Sequence, residues 1–420
     1  GATFQFSFPV WTPFVFTSDY KLARVFLQGD HEQEKSPINR TMNVLDRNVN
    51  SILTHDTANT EREKARKALA PSFSTSNLQQ TWPYLRNGLM DEFKKLRQFS
   101  DSGELMDCRQ DILMFMLKML GKSAFGIDFT DDGTESESTI NGLEYLEVQS
   151  KAISERILEF SVPFRQYFFW DKEVQRGAYC CRRLKEISAK MLHLYTQHEA
   201  DQDPNADKHP QTIMRALTQH AYPSENARLA DINIMTFAGH DTTGFSLCFL
   251  LMELGRHPQV RAKLQAELAA RLLSAICGLD YLNCCIKEAM RLWPVAATGS
   301  SRVLDEDIHW EGMVIPKGSS IRPHNYSMFR ESWIDRPLEF LPERWAADNP
   351  QLPELKEMFL PFSLGRRACI GQNMAMFQLR VVTAYLLHHF DFTLVGEPDF
   401  EYFLTLKPVN VWLAVKERNL

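Results

Sequence analysis

The strongest constraint on this chain is a helix-period run over residues 226–254, closed by His257-Pro258. Its apolar spacing predicts one long helix. The middle of the run reads Ala238-Gly239-His240-Asp241-Thr242-Thr243. Two adjacent threonines, an aspartate and a glycine are poor choices for a helix interior. A Thr hydroxyl there can divert to the carbonyl four residues back and loosen the ladder, which leaves room for a small ligand or water. Taken alone, a solvated stripe or a packing kink is the ordinary explanation of such a segment.

The same periodicity recurs on both sides. Residues 61–70, 78–99, 106–125, 140–158, 180–198, 260–268, 281–292 and 371–390 read as helices, with a short one over 20–27. Pro71 and Pro294 act as stops. Residues 4–16, 300–304, 309–310, 313–315, 320–323, 392–395 and 409–415 are β-prone, punctuated by Gly312 and Pro316-Lys317-Gly318. Residues 201–210 read as a polar loop and 331–363 as irregular. There is no repeat and no Gly/Ser linker, so the expected fold is mainly α with small β-sheets, one unit over residues 1–420.

Composition narrows the function classes. With 44% hydrophobic and 24% charged residues, 28 Phe and 16 Met, the chain is globular with a large apolar interior. A net charge of −6 removes any general case for nucleic-acid binding. No run reaches the roughly 18 uncharged apolar residues of a membrane span. The 8 cysteines (Cys108, Cys180, Cys181, Cys248, Cys277, Cys284, Cys285, Cys369) form no CxxC pair. They make no zinc site without distant partners and no disulfide framework, so they are expected mostly reduced. The chain opens Gly1-Ala2-Thr3, without a signal peptide or initiator Met, and is expected to have lost a leading membrane anchor.

The most informative segment is Phe362-Ser363-Leu364-Gly365-Arg366-Arg367-Ala368-Cys369-Ile370-Gly371. It is a Gly-bounded loop carrying one thiol, directly before a helix. Arg366, Arg367 and the helix N-terminus supply positive potential, which favours thiolate, a nucleophile or a metal ligand. Gly365 permits a tight turn with positive φ, and Gly371 lets a flat object lie near the backbone. Loop N–H groups can donate to the sulfur and tune a bound metal. A lone cysteine is more often simply a buried structural residue.

This segment resembles the haem-binding signature of cytochromes P450, F-x-x-G-x-R-x-C-x-G, at every fixed position. The resemblance implies haem b, with Cys369 as the proximal iron ligand and Arg367 on a propionate. Phe362, Gly365 and Gly371 would then shape the cofactor loop. Ala238–Thr243 resembles the family's oxygen-activation motif, in which Thr242 would bond dioxygen at the haem and Asp241 would help deliver protons. Glu288-Ala289-Met290-Arg291, an i, i+3 pair on one helix face, and Pro342-Glu343-Arg344-Trp345 resemble the E-x-x-R and P-E-R-F/W segments. Glu288, Arg291 and Arg344 are therefore expected to form a buried structural charge network. Arg66 matches the arginine of W-x-x-x-R and would be a second propionate partner, but Arg62 stands where the Trp belongs and is a candidate to reach the propionate itself. Arg302 is a third candidate. The abrupt passage near Ala270-Arg271 departs from the longer acidic connection usual in the family.

The chemistry implied is that of a haem-thiolate monooxygenase: thiolate pushes electron density toward iron, and the protein supplies ligand, proton path and pocket. There is no GxGxxG and no length left for a flavin or nicotinamide domain, so electrons from NADPH must come through a separate partner such as NADPH-cytochrome P450 reductase. Arg62, Lys64, Arg66, Lys67 and Arg366 are a candidate basic docking face. By family analogy the pocket holds Phe237, Ala238, Val295, Thr298, Phe403 and Leu404, which suits an apolar small molecule such as a fatty acid, sterol or terpenoid. The eukaryotic look of the cysteine loop places the enzyme on the cytosolic face of the endoplasmic reticulum. Two other classes remain: a P450-type lipid hydroperoxide isomerase or dehydratase, and a non-catalytic haem-dependent binding protein. The intact Asp241-Thr242 pair argues against the first, whose proton relay would be idle.

Overall fold

The computed structural model describes residues 3–6, 13–28, 34–162, 164–200, 210–270 and 278–419. The longest helix is Glu225–Arg256, within two residues of its sequence expectation at each end. Helix starts follow local capping chemistry. Asn59 accepts from Arg62 N at 3.1 Å ahead of Thr60–Leu69, and Asn141 accepts from Glu144 N at 3.1 Å ahead of Gly142–Ser161. Asp171 accepts from Glu173 N and Val174 N, so the next helix is Lys172–Ala200 and starts well before Cys180.

Several expectations need correction. The single helix over 78–99 is two, Thr75–Gln80 and Trp82–Ser102. Thr81 Oγ1 bonds Leu78 O at 2.7 Å, and Pro83, lacking an N–H, suits the first turn of the second helix. Residues 106–125 comprise strand Met106–Asp107, helix Cys108–Leu120 and a wide turn Gly121–Phe125 that Gly126 closes at φ +65°. The segment 409–415 is broken at Asn410, φ +55°, between strands Leu406–Val409 and Trp412–Glu417. The irregular stretch 331–363 contains the short helices Pro342–Trp345 and Leu352–Met358. The polar loop expected over 201–210 lies outside the described residues except for Pro210, and so does the passage beyond Ala270.

Within the chain, packing divides the residues into two compact units. The first comprises residues 1–34, 89–113 and 242–420. It contains the four-stranded sheet ordered Thr3–Phe6, Phe14–Thr17, Ser320–Pro323, Arg302–Val303, and the three-stranded sheet Phe390–Val395, Trp412–Glu417, Met106–Asp107. Its apolar cluster includes Leu22, Phe26, Ile321, Phe329 and Leu355. The second unit comprises residues 35–88 and 114–241. There Gly177 lets Lys172–Ala200 close on Gly142–Ser161, since a Cβ at that position would stand 2.4 Å from Glu155 Cγ. The long helix contributes residues to both units. No helix of the described residues is long and apolar enough to cross a membrane.

Candidate functional site

The cysteine loop is a closed turn. Gly365 has φ +69°, the left-handed conformation expected of it, and a Cβ there would meet Leu27 O at 2.4 Å. Ser363 precedes it at φ +60°. Ala368 N donates to Gly365 O at 3.0 Å, and Cys369 N donates to Phe362 O at 2.9 Å. These bonds hold the thiol just ahead of helix Gln372–His389, which Gly371 leads into at φ −84°. Cys369 is exposed, whereas Cys108, Cys180, Cys181, Cys248 and Cys285 are buried and Cys284 half-buried. Burial pushes the thiols of Cys180, Cys181, Cys248, Cys284 and Cys285 up, against ionisation. Among the described cysteines, then, Cys369 is the one presented for ligation. Arg366 beside it is exposed, and Phe362 and Arg367 are half-buried.

The long helix runs unbroken through the Ala238–Thr243 motif. Residues 229–237 are buried, yet Ala238 is exposed and Gly239 and Thr242 are partly so. Those positions lie at i, i+1 and i+4 and share one face, giving an accessible strip of small side chains on a buried helix. Gly239 has a packing reason as well, because a Cβ would stand 2.7 Å from Leu120 Cδ2. Thr236 Oγ1 bonds back to Ile232 O, and Ser246 Oγ to Thr242 O, both at 2.8 Å, flanking the motif. His240 Nδ1 pairs with Thr236 O at 2.8 Å, and burial lowers the ring to about 4, so it is neutral at pH 7. Asp241 is buried. Burial, and then its proximity to Asp241, pushes the Tyr145 phenol up.

Glu288, Arg291 and Arg344 are brought together, all buried. Arg291 forks onto Glu288 at 2.9 Å twice and donates to Phe329 O, Pro337 O and Glu339 O. Arg344 Nε reaches Glu288 Oε1 at 3.2 Å, and its other nitrogens bond Asp335 O and Arg336 O. Two donors escaped the sequence: Leu341 N at 3.1 Å and Trp345 Nε1 at 2.9 Å. The Trp of P-E-R-W was the available signal for the second.

The remaining candidates lie on separate elements of the chain. Arg66 is half-buried on Thr60–Leu69. Arg62 is 3% exposed, with Nη2 on Thr57 O at 2.8 Å, and is therefore withdrawn from any docking face. Lys64 pairs with Glu61 at 2.9 Å. Arg302 is buried, with Nη1 on Ser300 Oγ and Ser301 O. Phe237 and Val295 are buried, Leu404 half-buried and Phe403 exposed. Thr298 Oγ1 meets the Tyr402 hydroxyl, a contact the sequence did not suggest.

The family model for cytochrome P450 matches residues 2–413. The chain belongs to the cytochrome P450 family. Among curated relatives, Cytochrome P450 4ae1 of Drosophila melanogaster is 27% identical over 371 residues, 83% of this chain and 73% of that protein. Cytochrome P450 3A56 of Fundulus heteroclitus is 23% identical over 364 residues, 81% and 70% of the two chains. A crystal structure of a cytochrome P450, CYP102L1, superposes with a TM-score of 0.85 at 20% identity, covering 100% of this chain and 95% of that one, and so shares the fold. This P450 is thus a haem monooxygenase, an oxidoreductase. Its residues fit the haem the family implies: the donor is an accessible thiol on a hydrogen-bonded turn, closely preceded by Arg366 and Arg367.

Proposed function

We propose that this P450 inserts one atom of dioxygen into an apolar, lipid-like substrate, using NADPH electrons relayed by a separate reductase. When bound, the haem supplies the oxidising chemistry. Cys369 would hold its iron as thiolate, and Arg367, Arg66 and Arg302 its propionates. Phe362, Gly365 and Gly371 keep the loop compact. Thr242, on the accessible helix strip, and the buried Asp241 beside it would pass protons. Phe237, Ala238, Val295, Thr298, Phe403 and Leu404 would line the pocket, and residues 1–420 would act as one catalytic domain. Exposed Arg366, beside the cysteine, is a proposed contact for the reductase. The cytosolic face of the endoplasmic reticulum is the proposed location, on kinship with the animal relatives.

The observation that carries this reading is the accessible Cys369 thiol on its hydrogen-bonded turn. The test mixes protein, reductase and NADPH with candidate lipids and measures substrate-dependent oxygen uptake with product formation. Uptake supports the reading. No uptake, together with turnover of a lipid hydroperoxide without reductase, would replace it with a hydroperoxide isomerase.

A further inference from the structure

Arg322 lies on strand Ser320–Pro323, in register with Phe16 on the parallel strand Phe14–Thr17. The neighbouring strand pairs Arg302 with Ile321, one residue earlier. Cross-strand partners share a face and successive residues alternate, so Arg322 and Arg302 project from opposite faces of the sheet. Arg322 is therefore separate from the arginine assigned to a propionate.

Its surroundings are unusual for a cation. Nη1 donates to Thr298 Oγ1 at 3.3 Å, and the guanidinium stands 5.9 Å from the Phe16 ring centre. Nε is buried and makes no hydrogen bond among the described residues. Burial pushes the guanidinium down from its ordinary value, and the nearby phenol of Tyr402 opposes the shift. No carboxylate among the described residues pairs with it. Part of the side chain nevertheless remains accessible, as do parts of Thr298 and Tyr402. Thr298 Oγ1 is shared with the Tyr402 hydroxyl at 2.5 Å, so the three side chains form one cluster. A deeply set cation without a counter-ion is costly to hold, and one that solvent still reaches is available to an anion from outside.

We propose that Arg322, with the Thr298 and Tyr402 hydroxyls, anchors the carboxylate of an amphipathic substrate such as a long-chain fatty acid. A planar guanidinium matches a carboxylate through paired N–H donors, and whichever of the two hydroxyls does not donate to the other adds one more donor. The apolar chain is inferred from the apolar neighbours of the cluster in the sequence, Val295-Ala296-Ala297 before Thr298 and Phe403-Leu404 after Tyr402. This deepens the monooxygenase reading above and rests on it.

The test is calorimetric titration of the haem-loaded protein with dodecanoate and with methyl dodecanoate at neutral pH. Hydrogen bonds to charged groups set the scale, so Arg322→Met should weaken dodecanoate binding about 10- to 100-fold and leave the ester unchanged. Arg322→Lys should retain most of the acid affinity. Arg322→Met should also melt no lower than the parent, because no protein carboxylate loses its partner. Equal affinity for acid and ester in the parent would overturn the assignment, as would equal loss of both in the variant. A fall in haem content or melting temperature in Arg322→Met would overturn it too, placing Arg322 at the cofactor or in the fold. A normal thiolate spectrum accompanying any of these results leaves the P450 chemistry standing, so the two readings fail separately.

Discussion

Glu288→Ala is the most demanding perturbation of the scaffold. The carboxylate is fully buried and receives five hydrogen bonds, two from Arg291 and one each from Arg344, Leu341 N and Trp345 Nε1. Its removal leaves two guanidiniums facing each other without the shared anion. Breaking a buried pair by deleting one partner costs about 3–5 kcal/mol. Each neutral donor left without an acceptor adds about 1–3 kcal/mol. These terms share one site and do not simply add, but a loss of at least about 5 kcal/mol removes from about a third to all of the roughly 5–15 kcal/mol that holds a typical domain together. Little soluble, haem-loaded protein is therefore expected. The assay is soluble yield, Soret absorbance per mole of chain and thermal melting, with Glu288→Gln as an intermediate that keeps an acceptor and loses the charge. A Glu288→Ala protein that loads haem and melts within about 3 °C of the parent would refute the reasoning, since 1 kcal/mol already moves a large domain by about 2–4 °C.

Two further outcomes follow from particular groups. Asp231 is buried between Ile52 N and the Tyr222 hydroxyl, and burial raises its carboxyl to about 6. Its folded value lies above the unfolded one, so the native state binds the proton more tightly and stability falls as pH rises from about 4 to about 6. The shift is worth on the order of 3 kcal/mol. Asp231→Asn should flatten that slope, and urea midpoints at pH 4.5 and 7 that differ as much in the variant as in the parent would contradict it. Thr242→Ala should keep haem, substrate binding and NADPH consumption while releasing more hydrogen peroxide per product, because positioned proton transfer is worth about 10²–10⁴-fold. Unchanged coupling would remove Thr242 from the proton path.

What the sequence made readable was local. The Gly365 turn, the lone thiol before a helix and the i, i+3 pair Glu288–Arg291 each rest on chemistry within a few residues, and all appear where expected. The split at Thr81 and the helix Leu352–Met358 were also locally encoded, through Pro83 and Pro353, but apolar spacing and a high proline content masked those starts. Helix Ile213–Gln219 went unread although Thr212 caps it by accepting from Arg215 N. The contacts that could not be read are long-range: Trp345 on Glu288, Tyr402 on Thr298 and Arg322 against Phe16 join residues far apart in the chain. Arg62 shows the same limit. It looked like a surface cation by its charged neighbours, yet the bond to Thr57 O turns it inward.

The central claim is that Cys369 binds haem iron as thiolate, and the carbon monoxide difference spectrum of the reduced protein tests it most directly. The parent should show the red-shifted Soret band of thiolate ligation, and Cys369→His should lose it while still taking up haem. A parent without that band, or a Cys369→His variant that keeps it, would contradict the account.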